Sequence, residues 1–391
     1  MIKKIKEIFL RFRDLTTLGS ANLLSTAISG IFWFFLASIL GETHYGEISY
    51  FIAIVGIASM LSFLGAGTVT IVLTAKGQKI LSSIFLLTII TSSISSIIIF
   101  ILFQDFGMSL YVIGYVVFGL AISDLLGRKL YTGYSKYLIT QKIFLVVFAL
   151  LFYYLIGPQG IILGYGISFL PYFIRIYKGF KEQKPDISLI KPHAGFMLNS
   201  YLLDLSRAFS GQIDKLIVAP MLGFALLGNY QLGLHFISLL GILPGIVYQY
   251  ILPYDATGTP NNKLKMLTVL VSIILALGGM VLTPIIFPIL FPEYHESVTI
   301  IRIISLAIIP MTINLMYISK FLGMEKTKIV LTASGIYLIT QVLLILTMGK
   351  FFGVNGVAGA YVIATTIESI FLIIASILFL KTKKSFQIPN C

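Results

Sequence analysis

The chain contains twelve apolar stretches, each long enough to cross a lipid bilayer as a helix. A bilayer core of about 30 Å takes about 20 residues of helix. The stretches lie at 18–40, 48–71, 80–103, 108–126, 138–157, 160–177, 196–222, 228–250, 265–288, 298–318, 329–348 and 356–380. Because backbone groups in lipid must be satisfied within each segment, this pattern predicts an all-α integral membrane protein with twelve transmembrane helices.

The charge content excludes most soluble classes of protein. Only 11% of the 391 residues are charged and 58% are apolar, whereas soluble domains carry about 25% charged residues. The net charge of +13 could suggest a nucleic-acid partner, but its distribution argues against one. With the N-terminus placed in the cytoplasm, 22 of the 28 Lys and Arg residues fall in inner segments, and Lys350 alone falls in an outer loop.

This asymmetry is typical of positively charged cytoplasmic loops. It predicts a multi-pass protein of the cell membrane with both termini in the cytoplasm and no nucleic-acid partner. Residues 1–17 alternate basic and apolar side chains. They are predicted either to lie on the membrane surface as an amphipathic cytoplasmic helix or to form a solvated basic segment.

Two sets of glycines indicate an internal duplication. Leu40-Gly41 with Gly46 recurs in the second half of the chain as Leu222-Gly223 with Gly228. Gly157-Pro-Gln-Gly160 recurs there as Gly353-Val-Asn-Gly356, in the same relative order. The repeats predict two pseudo-symmetric six-helix bundles around a central cavity. The predicted organisation is an N-terminal bundle at 18–177, a cytoplasmic linker at 178–195, a C-terminal bundle at 196–380 and a cytoplasmic tail at 381–391.

Motifs for catalysis are absent from the sequence. There is no Gly-rich loop ending in Gly-Lys-Ser/Thr, no H-E-x-x-H and no G-x-S-x-G. The single Cys and the four His residues do not have the spacing of a zinc site. The sequence therefore predicts a protein that is not an enzyme, with no metal site and no cofactor, and leaves coupling to H⁺ or Na⁺ open.

Ionisable side chains within the apolar stretches are the candidate functional residues, because such groups are costly in lipid and usually line a cavity or pair with each other. Asp204, Arg207, Gly211 and Asp214 share one face of a helix. The guanidinium of Arg207 suits a phosphate. An alternative is a structural pair between Asp204 and Arg207.

The candidates form two sets. The predicted cationic substrate-binding residues are Arg207, Lys215 and Arg302, and the predicted polar or ion-coupling residues are Asp204, Asp214, Glu368 and Asp124. Glu368 could bind a coupling ion or hydrogen-bond to a neighbouring helix. We expect Asp124 to pair with Arg128, and Lys142 and Arg175 to extend towards the inner membrane surface.

Several local motifs carry a resemblance to a known family. They are Gly19-Ser-Ala-Asn22, Asp214-Lys-Leu-Ile217, Leu227-Gly228-Asn-Tyr230 and Gly353-Val-Asn-Gly356-Val-Ala-Gly359. With the topology, they resemble the polysaccharide (O-antigen or repeat-unit) flippases of the multidrug/oligosaccharidyl-lipid/polysaccharide exporter superfamily.

The resemblance implies movement of a polyprenyl-(pyro)phosphate-linked oligosaccharide from the cytoplasmic to the outer leaflet, by alternating access, for export of a cell-surface polysaccharide. It implies a lipid-linked oligosaccharide and membrane lipids as partners. A glycan polymerase and glycosyltransferases are further candidate partners.

Two rival functions remain open. A cation-coupled multidrug or small-molecule antiporter of the same superfamily also has twelve helices, although the first apolar stretch contains Asn22 rather than the acid that is typical of that branch. A membrane enzyme or scaffold of glycan assembly is disfavoured because the outer loops are short. The peptidoglycan-precursor flippases usually have fourteen spans, which argues against that branch.

Overall fold

The computed structural model describes the backbone of residues 2–78 and 80–385, and the side chains of 16–78, 80–206, 208–252 and 254–378. Within these residues the protein consists of helices and short connections, with no strand. The predicted N-terminal segment lies in the first helix, but most of its side chains fall outside the described residues, as do residues 386–391 of the predicted tail.

Fourteen α-helices are described. They are α1 (Ile2–Phe63), α2 (Ala66–Ala75), α3 (Leu81–Phe103), α4 (Phe106–Gly127), α5 (Tyr131–Ile156), α6 (Gly160–Ile167), α7 (Phe173–Glu182), α8 (Ala194–Leu222), α9 (Phe224–Leu240), α10 (Ile242–Ala256), α11 (Asn262–Leu290), α12 (Ser297–Ser305), α13 (Ile308–Gly323) and α14 (Thr327–Ser385).

These helices correspond to the twelve predicted spans. Among the described residues, eight helical segments are long and apolar enough to cross a membrane, with α6 and α7 (Gly160–Glu182) counted as one segment and α12 and α13 (Ser297–Gly323) as another. A ninth is added if α9 and α10, which meet at 46°, count as one span. Both α1 and α14 are broken internally and contain two spans each. The charged helix α8, 29 residues long, completes the twelve.

Glycines in the left-handed region make the turns that the repeated motifs predict. Gly41 breaks α1 at φ 68° and ψ 169°, and Gly223 separates α8 from α9 at φ 90° and ψ 167°. Gly157 and Gly353 have φ values of 83° and 58°. Side chains with a Cβ rarely adopt positive φ, so each motif places a turn at an equivalent point of the two repeats.

The first pair of motifs also makes a reciprocal contact. A Cβ added at Gly46 would overlap the carbonyl oxygen of Phe224, and one added at Gly228 would overlap that of Glu42. In the register that aligns the two motifs, Gly46 is equivalent to Gly228 and Glu42 is equivalent to Phe224. The two equivalent helix starts therefore pack against each other in a pseudo-symmetric manner, which requires glycine at both crossing points.

A second region shows the same duplication at positions that the sequence motifs do not include. Lys129 and Glu325 are equivalent in the register that aligns Gly157 with Gly353, and they have φ values of 58° and 59°. Just before them, Gly127 packs closely against α2 and Gly323 packs closely against α10. Both repeats thus end their fourth span with the same backbone conformation and the same type of helix contact.

The chain divides into two compact units. Unit 1 comprises Met1–Phe35 and Phe51–Ala208, and unit 2 comprises Leu36–Tyr50 and Phe209–Cys391. The segment Leu36–Tyr50, which lies in the predicted N-terminal bundle, belongs to unit 2, where Tyr45 is fully buried. The helix α8 contributes its first part to unit 1 and its second part to unit 2.

Candidate functional site

An aromatic cavity of about 210 Å³ lies within unit 1. Its walls come from α1, α4, α5 and α6 and from the short 3-10 turn that follows α6. The aromatic lining residues are Phe32, Trp33, Tyr111, Tyr115, Phe118, Tyr165 and Phe169. The cavity is smaller than the about 300–1,000 Å³ of pockets for drug-sized ligands, so it suits a single ring-sized group.

The rings pack against one another and hold the shape of the cavity. Tyr165 lies 5.4 Å from Tyr111 and 6.2 Å from Trp33 between ring centroids. Tyr111 stacks on Phe169 at 5.7 Å. Offset and tilted aromatic pairs of this kind stabilise a fold beyond the area that they bury, so the wall is preformed.

Apart from Ser29 and the tyrosine hydroxyls, the polar lining groups lie on α5. Gln141 is 2% exposed, and its Nε2 donates to the Ser168 hydroxyl at 3.3 Å. The next residue, Lys142, is half-buried and lines the cavity. Among the described lining residues it is the only one with a basic side chain, and none has a carboxylate. Within the described part of the chain, the structure gives the Lys142 ammonium no hydrogen bond or ion pair.

Lys142 was not identified as a functional residue from sequence. The apolar stretch starts at 138, which places Lys142 near the inner surface and predicts that it extends to the headgroups. In the structure α5 starts at Tyr131, so Lys142 lies about 16 Å along the helix at 1.5 Å per residue. This places its ammonium near the middle of the helix, where an ionisable group is costly unless it lines a cavity.

Two predicted site residues, Asp214 and Lys215, lie buried in unit 2 and contact each other. Lys215 Nζ is 3.4 Å from the Asp214 carboxylate and donates to the Gly211 carbonyl oxygen at 2.7 Å. The Tyr230 hydroxyl donates to the same carboxylate at 3.2 Å. The structure therefore places Lys215 in a compensated cluster.

Glu368 belongs to a polar network in the same unit. Asn314 Nδ2 of α13 donates to the Glu368 carboxylate at 2.8 Å, and the Ser369 hydroxyl donates to Asn314 Oδ1 at 2.5 Å. Tyr337 and Tyr361 each interact electrostatically with both Asp214 and Glu368. The buried Asp214 carboxylate and the half-buried Glu368 carboxylate thus share a pair of tyrosines, an arrangement that could bind a proton or a small cation.

The expected pair at the end of α4 is present. Arg128 Nε donates to the fully buried Asp124 carboxylate at 2.8 Å, and Arg128 also pairs with Glu182. Arg175, expected to extend to the membrane surface, instead pairs with Asp124. The four charges sum to zero, which makes this cluster a structural one.

Three predicted residues remain to be placed. Asp204 lies in the unit 1 part of α8 and interacts electrostatically with Tyr115, a residue of the cavity wall. Arg302 is exposed on α12 in unit 2. The Arg207 side chain lies outside the described residues. Within the described residues, no group of three or more His, Cys, Asp or Glu side chains could hold a metal ion.

Comparisons with known proteins support the fold. No protein-family model matches the sequence, and no curated protein matches it. Among solved structures, the lipid II flippase MurJ in an inward closed conformation has a TM-score of 0.73 at 18% identity, over 92% of this chain and 87% of that chain.

Other similar structures are transporters of the MOP superfamily. An inward-facing multidrug resistance MATE transporter has a TM-score of 0.68 at 14% identity, over 93% of this chain and 96% of that chain. A transporter from Pyrococcus furiosus Vc1 is described by the reverse polarity of its binding pocket. It has a TM-score of 0.60 at 15% identity, over 95% of this chain and 94% of that chain. The predicted fold class is confirmed: the described chain is all-helical and shares the fold of these MOP-superfamily transporters, which have twelve helices in two bundles.

Proposed function

We propose that this protein is a flippase that moves a polyprenyl-(pyro)phosphate-linked oligosaccharide from the cytoplasmic to the outer leaflet by alternating access, for export of a cell-surface polysaccharide. The observation that carries the proposal is the sign of the charge in the unit 1 cavity. The lining residues provide one ammonium, that of Lys142, and no carboxylate. An ammonium at this depth attracts an anionic substrate and repels a cationic one.

The remaining lining residues suit a sugar. The apolar face of a sugar ring packs on aromatic rings such as Trp33 and Tyr165, and its hydroxyl groups exchange hydrogen bonds with phenol and amide groups. Tyr111, Tyr115 and Gln141 offer such groups around Lys142. A phosphate attached to a sugar would use both features at once.

The rival function is a cation-coupled multidrug or small-molecule antiporter, and the MATE neighbours give it support at the level of the fold. A cationic drug would meet the Lys142 ammonium in the unit 1 cavity without a compensating lining carboxylate. The Pyrococcus neighbour, described by a pocket of reverse polarity, is a precedent for different pocket charges on this fold. These points favour an anionic substrate.

We further propose that transport is coupled to H⁺ or Na⁺ through Asp214 and Glu368. Their shared neighbours, Tyr337 and Tyr361, would hold the two carboxylates in one polar cluster. Glycosyltransferases and a glycan polymerase that make and use the lipid-linked substrate are proposed as functional partners.

The proposed function is tested by reconstitution into liposomes that contain a fluorescent polyprenyl-pyrophosphate oligosaccharide. Transfer is measured as the protected fraction of the label after an impermeant quencher is added. We expect protein-dependent transfer of this lipid, and none of a cationic dye in parallel vesicles. Dye transport without lipid transfer, by protein that retains its helical spectrum, would reject the flippase in favour of the antiporter.

A matched pair of variants links the transfer to the cavity. Lys142→Met removes the ammonium from the cavity, whereas Lys136→Met removes an exposed lysine nearer the start of the same helix. We expect transfer to fall in the first variant and to remain in the second. Equal transfer by the two variants would show that the cavity does not bind the substrate.

A further inference from the structure

A further polar cluster of unit 2 lies at the predicted inner ends of α11 and α13. Lys265 contacts both oxygens of the buried Asp255 carboxylate at 2.7 Å, and the Ser319 hydroxyl donates to Asp255 at 2.5 Å. Lys320 Nζ donates to the Ser376 hydroxyl at 2.6 Å and lies 5.9 Å from the centre of the Tyr317 ring. Lys320 also interacts electrostatically with Lys265 and Asp255, so the described cluster holds two ammonium groups and one carboxylate.

The duplication shows that this excess charge is particular to unit 2. In the register that aligns Gly157 with Gly353, Lys320 occupies the position that is equivalent to Asp124 in unit 1. There, Asp124 and Glu182 are balanced by Arg128 and Arg175. Both units carry a charged residue at this position; among the described side chains, its charge is compensated in full in unit 1 and not in unit 2.

The two lysines open onto a groove of about 230 Å³ between α11 and α13. Apart from the lysines, Asn262 and the Tyr317 hydroxyl, its lining is apolar and includes Met266, which is 68% exposed, Val269 and Ile313. Lys265 lies at the start of α11 and Lys320 lies near the end of α13. The groove therefore combines a cationic end, at the level that the sequence assigns to the inner headgroups, with an apolar path into the membrane.

We propose that this groove binds one anionic phospholipid of the inner leaflet, with its headgroup phosphate between Lys265 and Lys320 and an acyl chain along Met266 and Val269. Basic pockets between helices on the cytoplasmic side are suited to anionic headgroups. The apolar wall favours a lipid over a free phosphate ion, which would leave that part of the groove unused. The proposal does not depend on the transported substrate.

The test uses the purified full-length protein in detergent and native mass spectrometry. Phosphatidylglycerol, phosphatidylcholine and inorganic phosphate are added separately, and the bound fraction is measured for each. We expect retention of phosphatidylglycerol above phosphatidylcholine and no adduct with phosphate. Loss of the excess charge in Lys320→Met should lower phosphatidylglycerol binding about fivefold, whereas Lys320→Arg should keep it.

The matched control is Lys263→Met, which removes an exposed lysine just before Lys265 without touching the groove. Three results would each overturn the proposal. They are equal phosphatidylglycerol binding by Lys320→Met and the wild type, equal binding of phosphatidylglycerol and phosphatidylcholine by the wild type, and saturation of the groove by inorganic phosphate alone.

A second measurement keeps both lysines in place. The chain has one tryptophan, so Trp33→Phe combined with Met266→Trp places a single indole in the groove. In vesicles, brominated phosphatidylglycerol should quench this indole more strongly than brominated phosphatidylcholine at the same mole fraction. Equal quenching by the two lipids would contradict an anionic lipid at this position, even if Lys320→Met failed to fold.

Discussion

Replacing Lys142 by methionine should change stability and transport in opposite directions. Without substrate, the half-buried ammonium has no ion-pair partner among the described residues, and an ammonium at the centre of a membrane helix costs about 2.5–3.5 kcal/mol on insertion scales. The cavity and the nearby Gln141 recover part of that cost. We therefore expect Lys142→Met to stabilise the substrate-free protein by about 1–2 kcal/mol.

Transport should fall because the substrate loses its charged partner. A hydrogen bond between an ammonium and a phosphate contributes about 1.5–3 kcal/mol, which corresponds to a loss of about 10–150-fold in affinity. Stability is measured as the thermal midpoint in detergent, and binding as the concentration of lipid-linked oligosaccharide that gives half-maximal transfer. Lys142→Arg keeps a cation and should retain much of the transfer.

The opposite signs separate a binding role from a structural one. A lysine that only holds helices together would lose stability and transfer together on replacement by methionine. That result, or the same change in the exposed Lys136→Met control, would refute the reasoning. Loss of transfer with a raised or unchanged thermal midpoint would support the assignment of Lys142 to the substrate.

Three further predictions address packing, the structural charges and coupling. Gly228→Ala should lower the unfolding free energy by about 1–3 kcal/mol, because its Cβ would overlap the Glu42 carbonyl oxygen. Gly30→Ala, with open space around the position, should not lower it. Equal thermal midpoints of the two variants would contradict the close contact at Gly228. Asp124→Leu should lower the unfolding free energy by about 3–5 kcal/mol, because it leaves buried arginine charge unpaired. Glu182→Gln, at the exposed side of the same cluster, should lower it by less than about 1 kcal/mol. Thermal unfolding of both variants checks this ranking. Glu368→Gln should keep the fold and remove the dependence of transport on an H⁺ or Na⁺ gradient, and gradient-dependent transport by this variant would exclude Glu368 from coupling.

Most of the fold could be predicted because it follows from local features of the sequence. Apolar length predicted the spans, and glycine at Gly41, Gly223 and Gly353 marked turns that the structure places in the left-handed region. The sequence did not reveal the break after Phe63 in the second span. That break depends on a left-handed Leu64 and Gly65, and leucine is not a typical signal for this conformation.

The candidate site was less accessible from sequence because it depends on which helices become neighbours. Asp204 and Asp214 share a face of α8, yet the first belongs to unit 1 and the second to unit 2. Within its own unit each carboxylate has its own neighbours, Tyr115 for Asp204 and Lys215 with Tyr230 for Asp214. Lys215 is adjacent to Asp214, a spacing that does not favour pairing on a helix, but its flexible side chain reaches the carboxylate.

The failure to identify Lys142 has a physical cause that applies to other membrane helices. The first two turns of α5 contain Tyr131, Tyr134, Lys136 and Tyr137, which lower the local hydropathy and make the span seem to begin later than the helix does. Tyrosine and lysine are typical of the membrane interface, so these turns belong to the helix and its depth should be counted from Tyr131. Counted from Tyr131, Lys142 lies near the middle of α5. The positive charge of its side chain then favours an anionic over a cationic substrate, a distinction that the net charge of +13 cannot make.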